Sequence, residues 1–445
     1  MKVKKQSKTK IVVMGLGYIG LPTAAMFAEK GFQVVGVDVK KDIVENINQG
    51  EIHIEEPGLR KLVSRNVEKG NLKAKFRPEG ADVFVIAVPT PLTEEKHPHM
   101  KYVKEAIRTI NPFLEKNNLV IIESTIAPCT TKEVVIPELK KTGLKIGSEV
   151  LVAHCPERVL PGMIIKELIQ NNRVIGGIDK NSALRAAEIY RSFVAGEMYL
   201  TDVTTAEMVK LMENSFRDVN IALANEIAKI AGEIGIDVWE AIKLANKHPR
   251  VNYHLPGPGV GGHCLAVDPW FIVKKAPLQS RMIKLARNIN DSMPSFVFNF
   301  VMEKLTNIKA PRVSILGISY KKNVDDIRRS PIIELIKIFR REGIALTVHD
   351  PYASNKIPDR IYRERSRVFN ESDCLLLAVD HDVFSNLNPH EIAGKMRNKI
   401  IIDTRNFLNN KRWEQAGFSV FKLGNNSEFN WSKTVNEKKY YRKSI

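Results

Sequence analysis

The chain has 445 residues, which is long enough for two or three domains with a sizeable hydrophobic core. Hydrophobic residues make up 44% of it, and its longest uncharged stretch, residues 11–28, is interrupted by three glycines and a proline, so no membrane span is expected. The basic N-terminus lacks an apolar signal core. The four cysteines are widely spaced and form no CxxC pair, so they indicate neither a disulfide framework nor a metal site. Both observations favour the cytoplasm. The net charge of +18 is explained either by a solvated basic surface or by an anionic partner, which would be a small substrate or nucleic acid. Because the excess is diffuse or lies in the two tails, a small anionic substrate is favoured over nucleic acid.

The first predicted elements are a strand, a tight turn, a helix and a second strand. An apolar run, Ile11–Met14, precedes the turn, a helix-like stretch ends near Lys30, and a second apolar run, Val34–Val37, stops at Asp38. The turn has the sequence Gly15-Leu-Gly17-Tyr18-Ile19-Gly20. Its first glycine allows the turn, the second lets the backbone approach a pyrophosphate, and the third lets the helix pack on the strand. The phosphates would lie at the helix N-terminus, where free N–H groups favour negative charge.

The residue after the second strand predicts which dinucleotide is bound. Asp38 would accept hydrogen bonds from the adenosine ribose, which favours NAD over NADP. Lys40 and Lys41 stand nearby and leave NADP as the alternative. The cofactor-binding residues predicted here are Gly15, Gly17, Tyr18, Ile19, Gly20 and Asp38.

Strand-like and helix-like segments alternate to about residue 200 and predict a parallel sheet with helices on both faces. The further strands expected are Asp82–Val88, Leu119–Glu123, Val150–His154 and Arg173–Gly176. Polar residues follow several of these strands, namely Pro89-Thr90-Pro91, Ser124-Thr125 and Cys155-Pro156-Glu157-Arg158. Ligands of doubly wound sheets bind beyond the carboxyl ends of the strands, which is where these residues fall.

One long helix is predicted from Thr204 to Gly235, with Thr204 or Thr205 as its N-terminal cap. Lys210, Asn214 and Arg217 lie on one face of it, and their spacing alone indicates a solvated polar stripe.

A second, smaller doubly wound sheet is expected from Pro311. Its predicted strands and helix are Val313–Leu316, Pro331–Arg341 (the helix), Leu346–His349, Cys374–Val379 and Ile400–Asp403. The chain is polar and charged from Asn425 onwards, which predicts a loose tail. The predicted fold is α/β, with two Rossmann-like domains joined by a long central helix and a helical middle domain. The predicted divisions are residues 1–203, 204–309, 310–424 and a tail at 425–445.

The second strong motif is the loop Pro256-Gly-Pro-Gly-Val-Gly-Gly-His263-Cys264-Leu-Ala-Val-Asp268. Its composition indicates a shaped loop that places Cys264 as a nucleophile, and a buried, inert cysteine is the alternative. A nicotinamide site combined with a nucleophilic cysteine has a specific chemical meaning. Hydride removal turns an alcohol into an aldehyde that a thiolate can capture, and a second hydride removal gives a thioester that water hydrolyses to the acid.

These motifs resemble the UDP-glucose/GDP-mannose dehydrogenases, which are nucleotide-sugar 6-dehydrogenases, over residues 10–424. Besides the glycine turn and the Cys264 loop, the shared motifs are Val88-Pro-Thr-Pro91, Glu123-Ser-Thr125, Pro156-Glu-Arg-Val-Leu-Pro-Gly162, Glu207-Met-Val-Lys210 with Asn214, and Tyr320-Lys321 with Asp326-Ile-Arg328. The resemblance implies an NAD-dependent four-electron oxidation at C6 of a UDP-sugar. It also implies a homodimer or larger homo-oligomer, with the long helix as the candidate interface.

The branch of the family is indicated by the Cys264 loop, Gly-Gly-His-Cys-Leu-Ala-Val-Asp, which differs from the Gly-Gly-Ser-Cys-Phe-Pro-Lys-Asp type of the glucose branch. With Glu51-Ile-His-Ile-Glu-Glu-Pro57 and His248-Pro-Arg250, it resembles the branch that oxidises UDP-N-acetylmannosamine to a precursor of bacterial surface polysaccharide, such as capsule. The alternatives are the same chemistry on UDP-N-acetylglucosamine or UDP-glucose and, in another class, a basic NAD- or nucleic-acid-binding protein without turnover.

Residue roles also follow from the resemblance. The implied catalytic set is Cys264 as nucleophile, Lys210 as acid/base or oxyanion partner, Asn214 as oxyanion support, Asp268 as partner of a water or of Lys210, and Thr125 and Glu157 for water and proton traffic. The implied substrate-binding set is Arg158, Val159, Lys210, Asn214, Arg217, His248, Arg250, Gly261, Tyr320, Lys321 and Arg405, and the cofactor set gains Thr90, Thr125 and Arg328. One departure is plain, because the family's usual Arg-Glu-Ser is Arg328-Arg329-Ser330 here, and a cation replaces a carboxylate that could orient Arg328.

Overall fold

The structure is a computed structural model that describes residues 9–357 and 361–425. The basic N-terminus up to residue 8 and, apart from Asn425, the predicted polar tail lie outside the described residues. The described chain forms two compact units. Unit 1 extends to Glu213 and includes Trp270–Gln279, and unit 2 contains Asn214–Pro269 and the residues from Ser280 onwards.

Unit 1 is built on an eight-stranded sheet with the strand order β3-β2-β1-β4-β5-β6-β7-β8. In chain order the strands are β1 (Lys10–Met14), β2 (Gln33–Val37), β3 (Leu72–Lys75), β4 (Val83–Ile86), β5 (Asn118–Ile122), β6 (Val150–His154), β7 (Arg173–Gly177) and β8 (Met198–Asp202). The central strands are nearly continuous Val, Ile and Leu runs, and they are buried because helices cover both faces of the sheet. Strands β3 and β8 were not predicted from the sequence.

The sheet of unit 1 is parallel, as predicted, except at one strand pair. Strand β7 pairs with β6 in the antiparallel direction, with Ala153 opposite Gly177 and His154 opposite Gly176. The other strand pairs of this sheet are parallel. As a result, Arg173, the first residue of β7, lies beyond the carboxyl end of β6.

Seven helices of the described chain lie wholly within unit 1. They are α1 (Gly20–Glu29), α2 (Lys41–Asn48), α3 (Leu59–Glu68), α4 (Lys101–Ile110), α5 (Ile136–Leu139), α6 (Ile164–Gln170) and α7 (Lys180–Tyr190). The remaining helices are α8 (Val203–Ile234), α9 (Val238–Ala245), α10 (Asp268–Lys275), α11 (Arg281–Lys304), α12 (Pro331–Arg341), α13 (Pro389–Ala393) and α14 (Asn410–Gln415). The division between the units falls within α8 and α10.

The start of α8 corrects a predicted cap. The helix begins at Val203, and the carboxylate of Asp202 accepts hydrogen bonds from the backbone N–H groups of Thr204 (2.9 Å) and Thr205 (3.2 Å). Asp202 therefore caps the helix, and neither threonine does, because a cap must precede the N–H groups that it satisfies. The helix ends before Gly235, whose φ of +76° a glycine adopts without strain.

Unit 2 contains a five-stranded parallel sheet with the strand order β10-β9-β11-β12-β13. Its strands are β9 (Arg312–Leu316), β10 (Ala345–His349), β11 (Cys374–Leu377), β12 (Ile400–Asp403) and β13 (Ser419–Lys422), the last of which was not predicted. Helix α9 is tied to the chain after β13, since Trp239 Nε1 donates to the carbonyl of Leu423 (2.9 Å) and Val238 N to that of Gly424 (3.0 Å).

The predicted fold class is confirmed, with two parallel-sheet Rossmann-like regions and a helical middle region. The division into three domains with a tail stays a prediction. Within the described ranges, no helix is long and apolar enough to cross a membrane.

Candidate active site

The glycine turn of unit 1 follows β1, and each of its three glycines has a different surrounding. Gly15 has a φ of +91°, and a Cβ there would lie 2.7 Å from the carbonyl oxygen of Ala87. A Cβ on Gly20 would lie 1.8 Å from the carbonyl oxygen of Gly15. A Cβ on Gly17 would meet nothing within 4 Å. The outer glycines are therefore required by packing, whereas the middle one leaves open space in which a pyrophosphate fits. Tyr18 packs against the core below the turn, and Ile19 directly precedes α1.

The acidic residue after β2 is held against this turn. Asp38 Oδ2 accepts a hydrogen bond from Leu16 N, and Oδ1 accepts one from Lys40 N, both at 3.0 Å. Each carboxylate oxygen can accept a second hydrogen bond, so the fixed carboxylate still offers acceptors to ribose hydroxyls. The turn and Asp38 together fit NAD.

The loops that follow β4 and β5 bring two predicted residues together. Thr90 Oγ1 donates to the carbonyl of Thr125 (2.6 Å), and Ser124 Oγ donates to the carbonyl of Val88 (2.7 Å). Farther along the second loop, the buried carboxylate of Glu207 accepts hydrogen bonds from the backbone N–H groups of Cys129 (2.6 Å) and Thr131 (2.7 Å). These contacts fix the segment that carries Thr125.

The loop after β6 carries the next predicted residues. Glu157 is buried, and its Oε1 accepts a hydrogen bond from Arg158 N (2.6 Å). The Arg158 guanidinium forms an ion pair with Glu213 (2.5 Å) and donates to the carbonyl of Asn172 (3.1 Å). Val159 packs against the unit 1 core. Lys210 is half-buried on α8, and within the described ranges its ammonium has no hydrogen-bond or ion-pair partner.

In unit 2, the predicted residues around Cys264 are close together. The buried side chains of Asn214 and Asp268 are joined by a 2.5 Å hydrogen bond from Nδ2 to Oδ2, and Arg217 donates to Asn214 Oδ1. The backbone N–H groups of Val267 (2.9 Å) and Asp268 (2.8 Å) both donate to the carbonyl of Cys264. The half-buried Cys264 therefore opens the turn that leads into α10, with the carboxylate of Asp268 at the start of that helix.

The glycine loop packs against the loops of the C-terminal sheet. A Cβ on Gly261 would lie 2.7 Å from the carbonyl oxygen of Arg329 and 2.8 Å from Cβ of Tyr320, and one on Gly262, whose φ is +88°, would lie 3.0 Å from the Tyr320 ring. A Cβ on Gly257 would lie 2.2 Å from Nη1 of Arg405. Glycine is required at Gly261 because a side chain would meet backbone, and it is favoured at Gly262 by the positive φ, whereas at Gly257 the Arg405 side chain would have to move. Tyr320 and Arg405 thus lie against the loop, and their roles in binding the UDP-sugar stay predictions.

Buried amides that the sequence analysis missed hold the start of this loop. Asn225 Oδ1 accepts from Gly257 N, and Asn225 Nδ2 donates to Asn290 Oδ1, both at 2.9 Å. Asn290 in turn donates to Asp218, which pairs with the buried Arg287 at 2.5 Å. The spacing of Asp218 and Asn225, seven residues apart on α8, could have revealed this support, since it places both on one helix face.

The departure at Arg329 is compensated locally. The Arg328 guanidinium binds the carboxylate of Asp326 through Nε (2.9 Å) and Nη2 (2.6 Å). Burial raises the pKa of Asp326, but the hydrogen bonds from Arg328 outweigh that effect and hold it below its ordinary value. Asp326 therefore supplies the orienting carboxylate that position 329 lacks. Lys321 is exposed, and its carbonyl accepts from Ser319 Oγ (2.7 Å).

His248 and Arg250 lie at the surface after α9. Arg250 N donates to His248 Nδ1 (3.3 Å), and both side chains are exposed. The structure brings these two residues together, and they are open to a ligand from solvent.

The second Rossmann-like sheet repeats the first sheet's turn in a closed form. Gly317, with a φ of +86°, follows β9, and the carboxylate of Asp350 after β10 accepts from Ile318 N (2.7 Å). Asp350 is fully buried and contacts His381 Nε2 at 3.1 Å. Burial raises the pKa of Asp350, but these hydrogen bonds lower it overall to about 2. In this sheet the buried Asp350 carboxylate holds the loop that carries Tyr320. Its position is closed to solvent, so the turn does not present a binding site for a dinucleotide.

A dinucleotide cradle with an acidic ribose partner, on a chain that also carries a cysteine in a supported glycine loop, defines a nicotinamide-dependent dehydrogenase. Comparison with known families gives three matches, namely the NAD-binding domain of the UDP-glucose/GDP-mannose dehydrogenase family at residues 9–194, its central domain at 204–292 and its UDP-binding domain at 314–410. The chain belongs to this family, and its cofactor is NAD.

Similar proteins support the same assignment. The UDP-N-acetyl-D-mannosamine dehydrogenase of Methanococcus vannielii is 48% identical over 433 residues, which cover 95% of this chain and 99% of the relative. The solved UDP-D-ManNAc dehydrogenase of Pyrococcus horikoshii is 43% identical, covers 94% of this chain and 99% of its own, and has a TM-score of 0.88. The UDP-N-acetyl-mannosamine dehydrogenase of Staphylococcus aureus is also 43% identical, with the same coverage and a TM-score of 0.85.

Proposed function

We propose that this chain oxidises the C6 hydroxymethyl group of UDP-N-acetyl-D-mannosamine to a carboxylate and reduces two molecules of NAD. The observation that carries the proposal is the setting of Cys264, a half-buried thiol one turn from the buried Asn214–Asp268 pair. The choice of sugar is supported by relatives named for this activity at 48% and 43% identity. No observation favours UDP-N-acetylglucosamine, UDP-glucose or a binding protein without turnover.

The first half of the proposed reaction converts the alcohol to a thiohemiacetal. NAD accepts one hydride in each of the two oxidations. Lys210 takes the hydroxyl proton and then stabilises the oxygen, and the second N–H of Asn214 donates to the same oxygen. The thiolate of Cys264 then bonds through Sγ to the aldehyde carbon, the carbonyl π pair moves to the oxygen, and Lys210 returns the proton to that oxygen. Asp268 holds Asn214 in place through the 2.5 Å hydrogen bond.

The second half converts the thiohemiacetal to the acid. Loss of the second hydride from carbon, with transfer of the hydroxyl proton to Lys210, gives a thioester, whose carbonyl carbon is then attacked by water. The C–S bond breaks, the electron pair returns to Sγ of Cys264, and Glu157 takes the proton of the water, which Thr125 helps to orient. Glu157 suits this role because one of its oxygens is fixed by Arg158 N.

The proposed binding residues for the UDP-sugar supply positive charge for two phosphates. The guanidinium groups carry much of it, because their fork geometry matches phosphate oxygens, and each ionic hydrogen bond contributes about 1.5–3 kcal/mol. Tyr320 offers an aromatic face beside the glycine loop. The set is Arg158, Val159, Lys210, Asn214, Arg217, His248, Arg250, Gly261, Tyr320, Lys321 and Arg405. On the cofactor side, Thr90, Thr125 and Arg328 join the residues of the glycine turn.

The proposed domain roles are NAD binding for residues 1–203, support of the catalytic loop for 204–309 and UDP-sugar binding for 310–424. The cytoplasm is the proposed compartment, because the four widely spaced cysteines lack the pattern of a disulfide framework.

The proposed assembly is a homodimer or larger homo-oligomer through α8. Phe216, Leu223, Ile230 and Ile234 are exposed large apolar side chains whose spacing places them along one side of the helix. Such a stripe is costly in water, and a second copy can cover it with its own stripe across a two-fold axis. Sedimentation velocity of the wild type and of Phe216→Lys with Ile230→Lys tests this, and an unchanged sedimentation coefficient in the double variant contradicts it.

The proposed activity is tested by initial rates with UDP-N-acetyl-D-mannosamine, UDP-N-acetyl-D-glucosamine and UDP-glucose side by side, with NAD at saturation. We expect the highest kcat/KM for UDP-N-acetyl-D-mannosamine and a uronic acid as its product. A higher value for either of the other sugars would move the chain to another branch of its family, and no turnover with any of them would overturn the proposal.

A further inference from the structure

A cluster of buried polar side chains lies at the carboxyl-terminal edge of the unit 1 sheet, and most of it has no part in the reaction described above. We name it the Arg173 cluster, and its members are Glu123, Cys155, Glu157, Arg173 and Tyr190, each at most 6% exposed. Glu123 follows β5, Cys155 and Glu157 follow β6, and Arg173 starts β7. The antiparallel direction of β7 is what brings the guanidinium to this edge.

Arg173 stands between the two carboxylates of the cluster. Its Nη1 lies 3.9 Å from Glu123 Oε1, and its Nη2 lies 3.5 Å from Glu157 Oε2. Its Nη1 also lies 3.5 Å from Sγ of Cys155, and its guanidinium covers the Tyr190 ring at 4.6 Å. Tyr190 OH donates to Glu123 Oε1 at 2.6 Å. One cation is therefore shared by two buried acids.

The charges of the cluster do not balance when both acids are ionised, and the imbalance falls on Glu123. Burial raises the pKa of Glu123 to about 7; Arg173 opposes that rise and Glu157 adds to it. Burial also raises the pKa of the Cys155 thiol to about 11 and that of Tyr190 well above its ordinary value, so both stay neutral near pH 7. The remaining neighbour, Thr23 of α1, does not ionise. Glu123 is the group of this cluster that changes charge near neutrality.

Two other buried glutamates of unit 1 have a purely structural role, which their hydrogen-bond partners show. Glu56 accepts from the backbone N–H groups of Gly162 (2.7 Å) and Ile164 (2.8 Å), and Glu207 anchors a loop in the same way. The hydrogen bond at Glu123 comes instead from a side chain, and its other close neighbour is the guanidinium that also faces Glu157. The charge of Glu123 therefore interacts with Arg173 and, through it, with Glu157, whereas the charges of Glu56 and Glu207 are stabilised by backbone N–H groups.

We propose that Glu123 is a positioning residue that controls proton transfer to Glu157 through the Arg173 guanidinium that they share. The inference rests on the proposed function, which makes Glu157 the base of thioester hydrolysis. While Glu123 holds its proton, the whole charge of Arg173 acts on the Glu157 carboxylate. When Glu123 loses its proton, it takes part of that charge and adds a negative charge beside Glu157, which makes transfer of the proton of the attacking water to Glu157 more favourable.

The test is the pH profile of kcat for Glu123→Gln, an isostere that fixes the neutral form. We expect the acid limb of the profile to move about one pH unit lower and kcat at pH 8 to fall about tenfold, with the KM values of NAD and UDP-sugar unchanged. Glu138→Gln is the matched control, because it removes another little-exposed glutamate of unit 1 that pairs with an arginine, Arg108 (2.9 Å). A Glu123→Gln profile that matches the wild type, or a Glu138→Gln profile that moves as far, overturns the proposal.

Tyr190→Phe favours the neutral form of Glu123, as Glu123→Gln does, and keeps the buried ring. Because the hydrogen bond that stabilises ionised Glu123 is lost, Glu123 should keep its proton to higher pH and kcat near pH 7 should fall, and an unchanged or higher kcat there contradicts the proposal. Infrared titration without substrate separates this inference from the proposed function. A carboxylic acid carbonyl band that disappears near neutral pH in the wild type should be missing from Glu123→Gln even if no UDP-sugar is oxidised, and its persistence in the variant rules out Glu123 as the titrating group.

Discussion

The middle glycine of the nucleotide turn gives the sharpest prediction, because its substitution should affect stability and cofactor binding in opposite directions. In Gly17→Ala the new methyl group meets no protein atom within 4 Å, and the backbone there is outside the left-handed region. The free protein should therefore fold normally and gain about 0.4–1 kcal/mol in the free energy of unfolding, since alanine restricts the unfolded chain.

The same methyl group occupies the space into which the pyrophosphate fits. If it costs one ionic hydrogen bond from the turn, the loss is about 1.5–3 kcal/mol, which raises the Kd of NAD about tenfold to a hundredfold. Urea unfolding of the free protein measures the first effect, and calorimetric titration with NAD measures the second.

Two further glycines are the controls. Gly80→Ala also meets nothing within 4 Å but lies outside the turn, so it should gain stability as Gly17→Ala does while its NAD affinity stays near that of the wild type. Gly20→Ala places its methyl group 1.8 Å from the carbonyl oxygen of Gly15 and should destabilise the fold by about 3 kcal/mol or more. An unchanged Kd for NAD in a folded Gly17→Ala would refute the placement of the pyrophosphate at this turn.

Four other substitutions test separate parts of the account. Cys264→Ser should still bind NAD and UDP but form acid at less than about a tenth of the wild-type rate, because a hydroxyl is a far poorer nucleophile than a thiolate, and faster turnover argues against the covalent route. Asp38→Ala should narrow the ratio of kcat/KM for NAD to that for NADP, since the ribose loses its acceptor, and an unchanged ratio means that another residue discriminates. Arg250→Ala should raise the KM of the UDP-sugar much more than the KM of NAD, because its guanidinium is proposed to bind the UDP-sugar. An equal rise in the two KM values would contradict the assignment of Arg250 to the substrate-binding site. For Glu123, the pKa rises from an ordinary 4.5 to about 7 on folding, so the stability it contributes is complete below pH 4.5 and is lost as the pH rises through 7. Chemical unfolding across this range should show Glu123→Gln gaining on the wild type by up to about 3 kcal/mol, and a constant difference would contradict the shift.

Most of the fold could be predicted because its strands are apolar runs bounded by glycine and polar residues. Strands β6 and β12 and helix α12 have the predicted bounds. Strand β3 escaped prediction because it is a four-residue edge strand in which lysines alternate with apolar residues, and β8 because it is an edge strand without a buried residue. The reversed β7 has no local pattern that distinguishes it from a parallel strand. Direction in a sheet depends on pairing partners far along the chain, which no short window of sequence contains.

The residues of the candidate site also fall into two groups, those that a local sequence pattern predicts and those that only the folded structure shows. The glycine turn, Asp38 and the Cys264 loop were visible because their chemistry dictates local spacing. The supporting residues were not, since Asn225, Asn290 and Arg173 act through partners that are distant in the sequence. Asp326 was quoted only as part of a motif, and its pairing with Arg328 became evident from the geometry of the loop.

The central claim is a four-electron oxidation through Cys264, and the yield of NADH per sugar consumed tests it most directly. With limiting UDP-N-acetyl-D-mannosamine and excess NAD, the account predicts two molecules of NADH for each sugar and conversion of all the sugar to the uronic acid. One NADH per sugar with an aldehyde as product would contradict it, because a simple alcohol dehydrogenase has no need of the cysteine.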